Sequence, residues 1–316
     1  MLQASKDSWD DNDHHAQSWV LNKLALCYNR TGRSYDAEKY FRKQIALREK
    51  MGYMPGVAIG LGNLSEVLIR TGRLLDATNT LERKIKISQQ ISDQFKEMVG
   101  RQDYGLALAY RGEFEESERQ LKVTVEFLSK RSLDREECVS WAFYTLLNLL
   151  QRKKEEALES AKRSYQLASV QKRKRDMIRA SWLLGVAYRL NEKLDLAEEQ
   201  ITESLKNDRA INLIEIEANI LLELARLRYA QGDFKDALEK ASEALMITER
   251  SGYVLQGADV NLFLAQYALE QEKDKAKAKE YAKSALKLAY CDGPPYYYKV
   301  AYEEAERMIA RQNEEG

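Results

Sequence analysis

The sequence predicts an all-α solenoid, a stack of helical hairpins, from three observations. A small residue returns at a fixed interval: Ala37, Ala77, Ser117, Ala157, Ala197 and Ala237 are each 40 residues apart, and Ala278 follows 41 later. Each interval repeats one local pattern: an apolar run at helical spacing, often a glycine, a charged pair, and then the small residue inside a second helical run. Helix breakers are scarce, with proline only at Pro55, Pro294 and Pro295, while Ala, Leu, Glu, Lys and Arg abound. A fixed period of roughly 20 to 50 residues marks an architecture in which each unit buries its apolar face only against its neighbours. The 316 residues therefore need not divide into two globular domains.

Residues 1–16 are polar and lie outside the period, and are expected to form a flexible lead-in that Trp9 pins. Residues 17–290 hold seven units. In the first, Leu21, Leu24, Ala25 and Tyr28 form one helical stripe, Gly32 suits the turn, and Ala37, Phe41 and Ile45 form the second stripe. The second unit repeats this with Leu61, Leu64, Ser65, Leu68, Gly72, Ala77 and Leu81, and the third with Tyr104, Gly105, Leu108, Gly112, Ser117 and Leu121. The fourth keeps Ala157 and Ala161 but has Arg152 where its neighbours have glycine. Its first helix is apolar almost all round, which implies burial on more than one side. The fifth places Asn191 and Glu192 at its turn, the sixth regains Gly232, and the seventh carries one extra residue before Ala278. After Ala289 the period is expected to end. In residues 291–316, Gly293, Pro294 and Pro295 make a turn, and a closing helix with a charged outer face follows.

Fifty basic residues balance fifty acidic ones, so no long-range field gathers nucleic acid or an anionic membrane. No apolar run approaches the ~20 residues that span a bilayer. Cys27, Cys138 and Cys291 are odd in number and far apart, with no CxxC spacing, which fits reduced thiols in a cytoplasm. His14 and His15 sit beside acids, but neighbours on a helix point about 100° apart and do not converge on a metal. Gly56, Gly60 and Gly62 resemble a dinucleotide loop. No strand precedes them, however, Ser65 stands where the third glycine belongs, and they fall inside a repeat helix. Glu115 with Glu116, and Glu155 with Glu156, sit at hairpin turns beside basic residues, as solvated helix starts do. No catalytic residue, cofactor or metal is expected.

Within a unit, a small residue is followed by an aromatic or leucine three later, a glycine four after that, an alanine five further and a large apolar residue four beyond. Ala25, Tyr28, Gly32, Ala37 and Phe41 show it in the first unit; Gly105, Leu108, Gly112, Ser117 and Leu121 in the third. This order resembles the tetratricopeptide repeat. The resemblance implies a right-handed superhelical solenoid of about seven hairpins with a C-terminal capping helix, in which the small residues let paired helices approach closely. The usual unit is ~34 residues, so the surplus is expected in the second helix or the loop after it.

Four longer stretches, SWDDNDHHAQSWVLNKLALCYNRTGR, GLGNLSEVLIRTGRL, SGYVLQGADVNLFLAQYAL and CDGPPYYYKVAYEEAE, together resemble the C-terminal repeat region of bacterial STAND or NACHT-type ATPases. That resemblance implies a sensor arm: an upstream ATPase module oligomerises and releases an effector when the arm binds its trigger. No phosphate-binding GxxxxGK[ST] run occurs, so that module is not in these residues. A freestanding scaffold or co-chaperone is the alternative. A subunit with a hidden hydrolytic site is a third reading, which requires turnover lost in His14→Ala or Cys138→Ala.

Family geometry sets the first helix of each hairpin on the concave side. Asn22, Lys23, Arg30, Asn63, Glu66 and Arg70 then form a polar, net-positive end. Phe143, Leu146, Leu150, Trp182 and Val186 form an apolar belt, and Arg226 and Tyr229 lie beyond it. A protein or peptide ligand is the expected partner, with aliphatic anchors in the belt and carboxylates at Lys23, Arg30 and Arg70. The belt equally suits packing within the solenoid or against the ATPase module. The asparagines do not match the paired carboxylate clamp of chaperone-binding relatives, so the basic end also reads as a solvated face.

Overall fold

The computed structural model describes residues 13–314, which form fifteen α-helices and no strand. Residues 1–12, Trp9 among them, lie outside the described part. The first hairpin pairs α1 (His14–Arg30) with α2 (Ser34–Lys50), the second α3 (Met54–Arg70) with α4 (Leu74–Gln90), and the third α5 (Gln94–Arg111) with α6 (Phe114–Ser129). The fourth and fifth are α7 (Asp134–Leu150) with α8 (Lys154–Gln171) and α9 (Lys174–Leu190) with α10 (Leu194–Ile211). The sixth and seventh are α11 (Ile214–Ala230) with α12 (Phe234–Ser251) and α13 (Val254–Tyr267) with α14 (Lys275–Ala289). The chain closes with α15 (Lys299–Glu314).

Helix α1 starts at His14, inside the expected lead-in, because the Asp13 side chain caps it by accepting a 3.0 Å hydrogen bond from Ala16 N. The forty-residue unit divides evenly. Helices α1 to α4 are each 17 residues, and residues 31–33, 51–53 and 71–73 make three-residue turns between them. The surplus over the usual unit is therefore shared by both helices, not placed in the second helix or its loop.

The turns obey a finer backbone rule than the residues reveal. Positions 32, 52, 72, 92, 112, 132, 152, 172, 192, 212, 232 and 252, every twentieth residue, all have positive φ. Gly112 meets this at φ +78°, where a glycine bears no Cβ penalty. Arg152 and Glu192 stand at φ 60° at the same place in their turns. The turn survives there because the helix-ending hydrogen bonds, such as Lys193 N to Tyr188 O at 3.0 Å, are made regardless of side chain.

The small-residue beat marks where the two helices of a hairpin touch. Ala37, Ala77, Ser117, Ala157, Ala197, Ala237 and Ala278 are all fully buried. They face a second small series on the first helices that includes Ala25, Ser65, Gly105, Thr145, Gly185, Ala225 and Ala265. Ser117 Oγ donates to Gly105 O at 2.7 Å, and a Cβ added to Gly185 would stand 2.5 Å from Ile201 and 3.3 Å from Ala197 O. Helix α15 closes the stack against α14, and its Ala305 follows Ala265 by 40 and is fully buried. The extra residue before Ala278 is absorbed by a π-helical turn, Ala268–Glu272.

Five hairpins complete one superhelical turn. Helix α11 then touches α1, α13 touches α3, and α15 touches α5. Ser34 Oγ donates to Ser251 O at 2.7 Å, Leu75 N to Asp292 Oδ2 at 2.9 Å, and Arg111 Nε to Pro295 O at 3.2 Å. One core joins Phe41, Leu68 and Leu81 to Leu255, Tyr298 and Ala301 across this seam, and a second runs through the fifth to seventh hairpins. The α3 glycines lie in a helix and leave room for long polar side chains. A Cβ at Gly60 would strike Gln44, and one at Gly62 would strike Lys84. Among the described residues, no helix is long and apolar enough to cross a membrane, no group of three His, Cys, Asp or Glu side chains could hold a metal, and all three cysteines are free thiols.

Candidate functional site

Because the first helices line the axis and the turn closes on itself, the concave face becomes a lumen. Its central chamber holds about 110 Å³ and is walled by α3, α5, α7, α9, α11 and α13. Glu66, Asp103, Phe143 and Arg179 also line a second space of about 390 Å³ toward Ile59, Lys96 and Arg135. Asp259 is shared with a third, of about 440 Å³, against α15. The three spaces thus adjoin along the axis.

Charged groups cross the chamber and tie its wall together. Arg175 donates to Glu215 at 2.5 Å and to Glu66 at 2.9 Å. Arg70 lies 3.6 Å from Glu215, donates to Asn29 Oδ1 at 2.9 Å, and covers the Tyr253 ring at 5.3 Å. Burial is the largest single influence on Glu66 and raises its pKa, yet Arg175, Arg179 and Arg70 together outweigh it and hold that carboxyl down to about 2. Lys84 starts on α4, an outer helix, and passes the gap at Gly62 to reach Asp103 at 2.8 Å. Burial still raises the Asp103 carboxyl despite that lysine. Asp259 is pushed up to about 6 by burial, against Arg226 and a 3.2 Å hydrogen bond from Tyr298.

Between these pairs stand polar groups that the protein leaves unused. Gln256 is buried, with 9% of the residue exposed, and its Oε1 accepts no hydrogen bond among the described residues. Trp182 Nε1 is buried without an acceptor. Arg179 contacts the Phe143 ring at 5.8 Å but makes no ion pair or hydrogen bond among the described residues, and the Asn219 amide makes no hydrogen bond there either. Leu106, Phe143, Leu146 and Ile216 supply the apolar wall beside them.

Of the residues the sequence put forward, Asn63, Glu66, Arg70, Phe143, Leu146, Trp182 and Arg226 line these spaces. Asn22 accepts a 3.2 Å hydrogen bond from Asn63 at the edge. Lys23 is exposed and stacks on Trp19 at 5.2 Å, and Arg30 is exposed outside the chambers. Val186 is 7% exposed and belongs to the core, so it offers no surface to a ligand. Leu150 packs into the seam core. Tyr229 is taken up between helices, donating to Glu270, accepting from Gln271 at 2.9 Å and meeting the rings of Phe234, Phe263 and Tyr267.

Sequence reasoning missed Arg175, Arg179, Glu215, Asn219, Gln256 and Asp259. A signal was available: Ile59, Val99, Val139, Arg179, Asn219 and Asp259 share one register of the repeat, 40 apart, and all line the lumen. That register lies one helical turn before Asn63 and its equivalents.

No family model matches the sequence, and no curated protein matches it. Solved structures do match the fold. A Rap protein complexed with Competence and Sporulation Factor is 9% identical with a TM-score of 0.60, over 95% of this chain and 98% of that one. The Rap conjugation gene regulator of plasmid pLS20, in complex with the Phr* peptide, is 10% identical with a TM-score of 0.60, over 94% of this chain and 96% of that one. A Signal Transduction ATPase with Numerous Domains (STAND) protein with a tetratricopeptide repeat sensor, from Pyrococcus horikoshii, is 16% identical with a TM-score of 0.55. That match covers 94% of this chain and 44% of the other. The chain is thus a tetratricopeptide-type helical solenoid, closed by its own overlap around a polar and apolar lumen.

Proposed function

We propose that the chain is a non-catalytic sensor that binds a short peptide in its lumen. One observation carries this reading: Arg179, Asn219, Gln256 and Trp182 present unused donors and acceptors beside an apolar wall. Amide side chains both donate and accept, as a peptide backbone does, and the wall takes aliphatic or aromatic side chains. The central chamber, about 110 Å³, is smaller than the roughly 300–1,000 Å³ of small-ligand sites, and the adjoining spaces of about 440 and 390 Å³ fall within that range. A folded domain is too large for any of them, while an extended peptide can run through them along the axis, which favours a peptide over a scaffolded protein. The Rap neighbours bound to the Phr* peptide and to Competence and Sporulation Factor support the same reading.

The finer role is that of a signalling arm, in the manner of the tetratricopeptide sensor of the STAND neighbour, with an ATPase module as partner and the cytoplasm as location. Ligand inside the lumen bridges hairpins on both sides of the seam and so reports its presence through their packing. The test is capture from an equimolar pool of linear pentapeptides, identified by mass spectrometry and measured by calorimetry. Enrichment of particular peptides that compete for one site supports the reading. A pool recovered unchanged overturns it.

A further inference from the structure

Arg179 holds an unusual place in the wall. It lies where the central chamber meets the space toward Arg135, and lines both. The acids nearest in charge to it are Glu66, Glu215 and Asp176. Each is committed elsewhere by contact: Glu66 and Glu215 to Arg175 at 2.9 and 2.5 Å, and Asp176 to Arg135 at 3.5 Å. Asp103, on the same wall, is held by Lys84 at 2.8 Å. Among the described residues Arg179 keeps only the Phe143 ring, 5.8 Å away, which steadies one face of the guanidinium and leaves its edge of N–H donors unfilled there.

A cation kept in a confined site without a contact partner is costly, since burial and Arg175 both disfavour its charge. The planar fork of an arginine matches a carboxylate in two parallel hydrogen bonds. The groups around it favour a peptide as the carrier of that carboxylate. The buried Gln256 and the Asn219 amide stand free to take backbone groups, and Phe143, Leu146 and Trp182 offer apolar contact.

We propose that Arg179 is the anchor for a carboxylate of the peptide ligand, either its free C-terminus or an acidic side chain. The assignment rests on the peptide reading above and adds the chemistry of one subsite. The test takes the tightest pentapeptide from the pool and compares it with two derivatives, one amidated at the C-terminus and one with Asp or Glu replaced by Asn or Gln. Expected is a loss of about tenfold or more for one derivative on the wild-type protein, which names the source of the carboxylate. On Arg179→Gln the same derivative should bind within about twofold of the parent peptide, and Arg179→Lys should keep part of the discrimination.

Equal binding of both derivatives to the wild type overturns the assignment while leaving the peptide reading intact. Discrimination undiminished in Arg179→Gln also overturns it. If no pentapeptide binds at all, both readings fall together. The comparison of derivatives on the wild type needs no variant, so poor folding of Arg179→Gln does not rescue the proposal.

Discussion

Asn29 of the first hairpin donates a 3.2 Å hydrogen bond to Glu215 of the sixth, 186 residues further along the chain. The Glu215 side chain is fully buried, and Arg175 and Arg70 reach the same carboxylate. One acid thereby fastens α1, α3, α9 and α11, and turns an open superhelix into a closed one around the lumen.

Removing that acid leaves Arg175 and Arg70 without their shared partner. Glu215→Ala should destabilise the fold by about 3–5 kcal/mol, as breaking a buried pair from one side does. Urea denaturation measures it. A loss below about 1 kcal/mol would show that the seam is held by apolar packing alone.

Two carboxyls give the stability opposite slopes with pH. Burial, with Glu217 and Glu215 nearby and Arg209 opposing, pushes Asp208 up to about 8. The unfolded chain loses that proton near pH 4, so stability should fall as pH rises from about 4 to about 8. Glu66, lowered to about 2 from its ordinary 4.5, contributes stability that is present above about 4.5 and lost as pH falls toward about 2. Denaturation midpoints across pH should show Asp208→Asn flattening the upper slope and Glu66→Gln the lower one. Unchanged slopes would contradict these assignments.

Glu192 holds φ at 60° where a glycine would sit freely. Glu192→Gly should therefore stabilise by about 1 kcal/mol, the relief of left-handed strain less the entropy of the freer unfolded chain. A destabilised variant by thermal denaturation would mean that side-chain contacts, not the backbone beat, define this turn.

Trp182 tests the wall of the chamber. Trp182→Phe keeps a ring and loses the unpartnered Nε1, and should weaken a bound pentapeptide by about 1 kcal/mol. Trp182→Ala should weaken it by about 2 kcal/mol or more. Calorimetry on folded variants reads both, and equal affinity would take Trp182 out of the site.

The hairpins were legible in the sequence because close packing allows only small residues where two helices touch, and Ala37 to Ala278 record each such contact. The turns were legible where they hold glycine and hidden where Ser92, Arg152 and Glu192 adopt the same φ. That Ala305 continues the beat was obscured by the Gly293–Pro295 turn. The lumen was half legible. Glu66, Phe143, Leu146 and Trp182 followed from the concave register. Arg175, Glu215 and Lys84 did not, because Arg175 reaches Glu66 three hairpins away, Glu215 meets Asn29 five hairpins away, and Lys84 crosses a glycine gap from an outer helix. Pairings at such sequence separation leave no local pattern.

The most direct test of a peptide-binding lumen is the dissociation constant of the best pool-selected pentapeptide for the wild type and for the Asn219→Ala, Gln256→Ala double variant. Both amides line the chamber and make no hydrogen bond among the described residues, so their loss should leave the fold in place. Binding to the double variant should be weaker by about tenfold or more, one or two lost hydrogen bonds' worth. Equal affinity in the double variant would contradict it and place the peptide outside the lumen.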